Sequence, residues 1–181
     1  MDLADFNRIW SPVYGHPAWS VKKGYGSFLT LEFGQPALQI REPRFASPDA
    51  SEQVQELLGR RHVSVTGSWH LWIYCCNWSI ALSGKEVVHN ESPTDDIAFA
   101  TQRLDGQKLL SVTWGTTLGS WVFAFDLGGE LKTWPYGEDP SDEQWLLYER
   151  DSGNVLSVRA DGLSSYGAGS RTAKDEEWRP I

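Results

Sequence analysis

The twelve residues Trp69 to Ile80, WHLWIYCCNWSI, hold three tryptophans, a tyrosine and two adjacent cysteines, and they narrow the possible folds more than any other stretch. In an extended strand side chains alternate, so Trp69, Leu71, Ile73 and Cys75 fall on one side. His70, Trp72, Tyr74, Cys76, Trp78 and Ile80 fall on the other. Both sides are apolar, and a strand apolar on both faces is normally covered on both, between the core and a second layer. Burying one large side chain is worth roughly 1.5–3 kcal/mol, against about 5–15 kcal/mol for the net stability of a whole domain. Most of the ten tryptophans are therefore expected inside. The alternative use of the same rings is a stacking surface, with Trp72, Tyr74, Trp78 and His70 lining a ligand mouth. Asn77, polar in mid-run, marks an expected bulge or bend.

Most of the remaining chain has strand composition. SFLTLEFG alternates Phe28, Thr30 and Glu32 against Leu29, Leu31 and Phe33. HVSVTGSWHLWIY carries a turn signal at Thr66-Gly67-Ser68, and KLLSVTWG, SWVFAFDLGGELKTW and QWLLYERDSGNVLSVRADG read as a meander. Gly128-Gly129, Ser152-Gly153 and Asp161-Gly162 punctuate it, since tight hairpins demand residues that accept positive φ. The count is about nine to eleven short strands, which implies a mainly β, α+β fold: an antiparallel curved sheet, a sandwich or a barrel. Two short helices are expected, near 48–58 and 93–104. In the first, Ser47 caps, Pro48 follows, and Ala50, Val54, Leu57 and Leu58 form a stripe. In the second, Ser92 caps, Asp95 and Asp96 sit at the positive end of the dipole, and Ile97, Ala100, Thr101 and Leu104 align.

The length of 181 residues suits one domain, 1–181, with residues 168–181 as an extended tail that Trp178 could pin to the body. Cys75 and Cys76 cannot form a disulfide framework between distant segments, which suggests a reducing compartment. MDLADFNRIW has no apolar leader and no apolar run reaches membrane-spanning length, so the expected location is the cytoplasm, away from membranes. Residues 1–90 hold eight Lys+Arg and eight Asp+Glu, whereas residues 91–181 hold eight and sixteen, so the net charge of −8 lies in the second half. That surface repels nucleic-acid phosphates and favours basic partners.

No complete catalytic motif occurs in the chain. Gly24-Tyr25-Gly26 lacks the third glycine of a dinucleotide loop, whose place is Leu29, and no helix pattern follows. His16, His62, His70 and His89 lack paired metal-ligand spacing, although His62 and His70 would meet if the strands around Gly67 formed a hairpin. No catalytic residue, metal or cofactor is assigned. The acidic loop in YGEDPSDEQW, with Glu138, Asp139, Asp142 and Glu143, is either a solvated turn or a patch that steers a basic partner, with Trp134 or Tyr136 as the anchor beside it.

Taken in order, GYGSFLTLEFG, WHLWIYCCNWSI, LDGQKL, FAFDLGGELKTWP and QWLLYERDSGNVLSVRADG resemble a family of small uncharacterised bacterial cytoplasmic β-rich proteins, across most of residues 19–166. The segment Phe123 to Gly162 is also similar to immunity proteins of bacterial toxin systems, and Ser47 to Gly59 stands as an insertion against the family pattern. The resemblance, together with the acidic second half and the lack of a catalytic motif, implies a non-enzymatic protein that neutralises a toxin by direct binding, a basic toxin domain being the partner the charge favours. A tryptophan-lined β-barrel for small molecules or carbohydrates is the alternative, and a hydrolase using paired carboxylates the more distant one. The oligomeric state is left open.

Overall fold

The computed structural model describes residues 1–181. The chain begins with α1 (Leu3–Trp10), β1 (Trp19–Lys23), β2 (Leu29–Phe33), β3 (Ala37–Arg41), α2 (Glu52–Leu58), β4 (His62–Thr66) and β5 (Trp69–Ile73). It continues with β6 (Cys76–Leu82), β7 (Lys85–His89), α3 (Thr94–Leu104), β8 (Leu109–Trp114), β9 (Trp121–Phe125) and β10 (Gly129–Pro135). It ends with β11 (Glu143–Glu149), β12 (Asn154–Arg159), β13 (Leu163–Ala168) and β14 (Arg179–Pro180).

Seven strands, in the order β1-β2-β5-β11-β12-β13-β14, form one antiparallel sheet, five in the order β7-β6-β10-β9-β8 form a second, and β3 with β4 forms a separate ribbon. Neither large sheet closes on itself. Alternation turns Leu29, Leu31, Leu71, Ile73, Trp145 and Leu147 of the larger sheet toward Trp78, Ile80, Phe123 and Leu131 of the smaller, in one cluster of 28 buried residues. The mainly β architecture is thus two sheets packed over a common core. The fourteen strands exceed the expected number because apolar runs that look continuous are divided between sheets.

WHLWIYCCNWSI is the clearest such division. After β5 the chain turns at Tyr74 and Cys75 and enters the other sheet as β6, one residue out of phase. The Cys76 amide donates back to the Tyr74 carbonyl at 3.0 Å, while the Tyr74 and Cys75 amides donate to the carbonyls of Gln144 and Glu143. The break comes slightly before Asn77. It separates Trp78 from Trp72: Trp78 is fully buried between the sheets, its indole N–H donating to the Ser27 carbonyl. A mouth shared by Trp72, Tyr74 and Trp78 is therefore ruled out, because the change of phase sends Trp78 into the core.

The helices divide between core and surface. The N-terminal α1, which composition does not announce, is capped by the Asp2 carboxylate and buries Phe6, Ile9 and Trp10 at helical spacing. Phe6 stacks on Trp121 at 5.1 Å and Trp10 meets Trp145 edge-on at 5.8 Å, so α1 touches both sheets. In α3, Ile97, Ala100, Thr101 and Leu104 are buried as the stripe requires, but the helix begins after Pro93, and the Ser92 hydroxyl accepts from the His89 amide instead of capping. In α2 the cap is Ser51, not Ser47, and no residue is buried, so the stripe Ala50, Val54, Leu57, Leu58 covers no core. The tail returns to the body: Arg179 and Pro180 pair with β13, and the Arg159 guanidinium lies 4.9 Å from the Trp178 ring centre. No helix is long and apolar enough to cross a membrane.

The β3–β4 ribbon continues the paired strands β2 and β5 beyond a kink. Gly34 takes φ +73°, and Gly67 lies so close to the Phe33 backbone that a Cβ there would collide with it. Thr66-Gly67-Ser68 is accordingly a bend between ribbon and sheet. β4 pairs with β3 and sets His62 opposite Arg41, so His62 and His70 do not meet. Arg150 fastens the bend by donating to the Gln35 and Thr66 carbonyls at 2.9 and 3.3 Å.

Candidate functional site

The outer face of the larger sheet, opposite the core, carries an uncovered aromatic strip. Its rows follow from register: Glu32 pairs with His70, and His70 with Tyr148; Thr30 pairs with Trp72, and Trp72 with Leu146. Phe28 and Tyr74 extend the strip one row past the strand ends. The rings form a continuous surface, with Trp72 and Tyr74 centred 4.6 Å apart, Phe28 4.9 Å from Tyr74, and Tyr148 6.5 Å from Trp72. Trp72, Tyr74, Phe28 and Tyr148 are all half-buried. An outward sheet face in water is ordinarily polar, so a row of rings there is the exception in this fold.

At one end of the strip lies a buried carboxylate. Glu32 is 5% exposed; its Oε1 is 2.7 Å from His70 Nδ1 and its Oε2 accepts from the Gly67 amide at 2.8 Å. A carboxylate partner fixes the imidazole with Nδ1–H donating, which leaves Nε2 free for another partner. His70, Trp72 and Tyr148 form the floor of a cleft of about 550 Å³, walled by Gln39 and Thr66 from the polar face of the ribbon and by Asn154 opposite. No group of three or more His, Cys, Asp or Glu side chains is placed to hold a metal ion.

At the other end lie acids. Glu143 stands opposite Arg159 in register and is half-buried; burial, then the charge of Glu176 from the tail, raises its carboxyl above the ordinary range. The Tyr74 phenol is raised by its neighbour Cys75, by burial and by Glu143 and Asp142, and the Tyr148 phenol by burial, Glu143 and Tyr74. These couplings set Asp142 and Glu143 close to the Tyr74 and Tyr148 rings, with the Arg159 cation beside Glu143. Burial pushes the Cys75 thiol up, and it pushes that of fully buried Cys76 far up.

The residues singled out from the sequence regroup accordingly. His70, Trp72 and Tyr74 come together, and Asp142 and Glu143 join them. Glu138, Asp139 and Tyr136 stay on the exposed loop between the sheets, Tyr136 at 68% exposure. Asp139 is turned onto that loop, where the Ser141 hydroxyl and amide donate to it at 2.6 and 2.8 Å and hold its carboxyl below the ordinary range. Trp134 belongs to the smaller sheet, opposite Asn77, and does not reach the strip. Sequence reasoning missed Glu32, Tyr148 and Phe28. The signal available was alternation, which sets Glu32 on the face of Phe28 in SFLTLEFG and Tyr148 on the face of Leu146 in QWLLYER.

Comparison with family models, curated proteins and solved structures returned no match.

Proposed function

We propose that this chain is a non-catalytic binding protein that takes a basic segment of another protein across the outer face of the larger sheet. The observation that carries this reading is the aromatic strip Phe28, Trp72, Tyr74 and Tyr148, uncovered and bordered by Asp142 and Glu143. Arginine and lysine are the side chains that such a surface favours, because ring faces attract cations and the acids steer their approach. Half-buried rings on a rigid sheet also suit an interface, since they are ordered before the partner arrives. The immunity function implied by the family resemblance fits this chemistry, with a basic toxin domain as the partner.

The test is a titration with an arginine-rich peptide and with its glutamate-substituted counterpart, followed by tryptophan emission at two salt concentrations. The basic peptide is expected to bind more tightly at low salt, and Trp72→Ala and Glu143→Gln each to weaken it. Equal binding of the two peptides, or indifference to Trp72→Ala, would remove the proposal. Growth protection on co-expression with a toxic neighbouring gene product tests the immunity role separately.

A second reading rests on His70. With Nδ1 held by Glu32, its ring offers only Nε2 to the cleft it lines, beside Asn154 and Gln39. This arrangement suits a small polyhydroxylated ligand stacked on Trp72. Saturable quenching of Trp72 by a sugar, lost in His70→Phe, would favour it.

A further inference from the structure

The β3–β4 ribbon has two unlike faces. Cross-strand pairs Leu38–Val65 and Ile40–Val63 share one face, and these four side chains are 69, 51, 56 and 52% exposed respectively. Pairs Gln39–Ser64 and Ala37–Thr66 make the other face, part of which walls the cleft. A two-stranded ribbon is marginal in water unless one face packs on something, and four branched aliphatic chains on one side of a projecting arm find nothing within the chain. At the arm's end Phe45, Val54 and Leu57 are also exposed, at 105, 42 and 43%.

We infer that this apolar face docks onto the same face of a second copy of the chain, giving a two-fold dimer in which the ribbons pack face to face. Charge selects the occupant. Residues 37–66 hold four basic residues, Arg41, Arg44, Arg60 and Arg61, and four acidic ones, Glu42, Asp49, Glu52 and Glu56. The arm is therefore neutral, and the charge of −8 belongs to the rest of the chain. A basic partner is drawn to the acidic second half, whereas the neutral arms let two copies meet without the repulsion that acts between those halves. At about 150 Å² for an aliphatic side chain and about 200 Å² for phenylalanine, the exposed fractions of these seven residues come to roughly 700 Å², about half of it from the four on the ribbon face, so a contact that takes in the arm's end as well reaches one partner's share of a small standard interface. Matching pairs on a two-fold axis make the contact self-complementary, as an isologous interface requires.

Sedimentation of the full chain over a concentration series tests this. The expected species has twice the chain mass of 20.4 kDa. Ile40→Lys and Val63→Lys, at the centre of the face, are expected to weaken association at least tenfold while far-UV circular dichroism stays unchanged, and Val65→Thr to weaken it less. Gln39→Lys, on the opposite face, is expected to leave the dimer intact. A chain that remains monomeric at every concentration overturns the inference, including one that then binds neutral lipid vesicles through the arm. So does a folded Ile40→Lys variant that dimerises as tightly as the parent. Peptide binding at the aromatic strip is read independently of either result.

Discussion

Replacing Glu32 by alanine removes the one carboxylate that joins the sheet, the kink and the cleft. Its two oxygens serve the Gly67 amide at 2.8 Å and His70 Nδ1 at 2.7 Å, with the Glu32 side chain 7% and the His70 side chain 29% exposed. An unsatisfied buried amide costs about 1–3 kcal/mol, and a lost hydrogen bond to a charged group about 1.5–3 kcal/mol. Because His70 keeps some access to water, the sum for Glu32→Ala falls near the lower part of this range, at about 3–4 kcal/mol. For a chain of this length that corresponds to a fall in Tm of roughly 6–16 °C. Glu32→Gln keeps an oxygen for Gly67 and turns its N–H to His70 Nδ1, which accepts once the ring proton sits on Nε2, so its expected cost is only about 1 kcal/mol. Urea denaturation of the three proteins measures the difference, and amide exchange at Gly67 locates it. Equal losses for alanine and glutamine, or a loss below about 1 kcal/mol for alanine, would refute the view that Glu32 holds the bend.

Trp78→Ala opens a void in a fully buried site and is expected to destabilise by about 3–5 kcal/mol, whereas half-buried Trp72→Ala is expected to cost far less and to weaken partner binding. Thermal melts that rank the two equally would contradict the assignment of Trp78 to the core. Cys76 is expected to resist an alkylating reagent at pH 8 until the chain unfolds, because burial disfavours its thiolate, and Cys75 to react first though sluggishly; mass spectrometry of the labelled peptides decides. Glu143, its carboxyl raised in the folded chain, binds its proton more tightly there than when unfolded, so it withdraws stability as pH rises from below the ordinary carboxylate range through the raised value. Glu143→Gln is expected to remove that decline, and urea midpoints that run parallel for both proteins from acid to neutral pH would count against it.

Fold class and several hairpins were legible because they depend on local chemistry, whereas the single meander expected from KLLSVTWG onward is divided between the two sheets. The hairpins β9–β10, β11–β12 and β12–β13 follow the glycine punctuation, and α3 buries the stripe its spacing demands. Three features were not legible, each because a long-range contact decides it. The phase change at Tyr74–Cys75 depends on β11 carbonyls nearly seventy residues away in sequence, Gln144 and Glu143, accepting from that turn. The bend at Gly67 depends on Phe33 and Glu32. The α2 stripe has the spacing of a buried helix, yet spacing alone does not supply a surface to bury it against.

The same phase change explains why two surfaces that look separate in sequence become one. Had residues 69–80 run as a single strand, Trp78 and Ile80 would have shared the outer face with Trp72, and burial would have required a further layer over it. Turning one residue early sends Trp78 and Ile80 to the core of the second sheet and leaves only His70, Trp72 and Tyr74 outside. The turn is fastened to β11 at its first residues, so the carboxylates that open β11, Asp142 and Glu143, are brought beside Tyr74 as a consequence of backbone pairing. The position of the acidic edge is therefore part of the fold. A substitution that disturbs the Tyr74–Gln144 pairing should move acids and rings together, while surface charge changes at Glu138 or Asp139, on the exposed loop, should leave the strip in place.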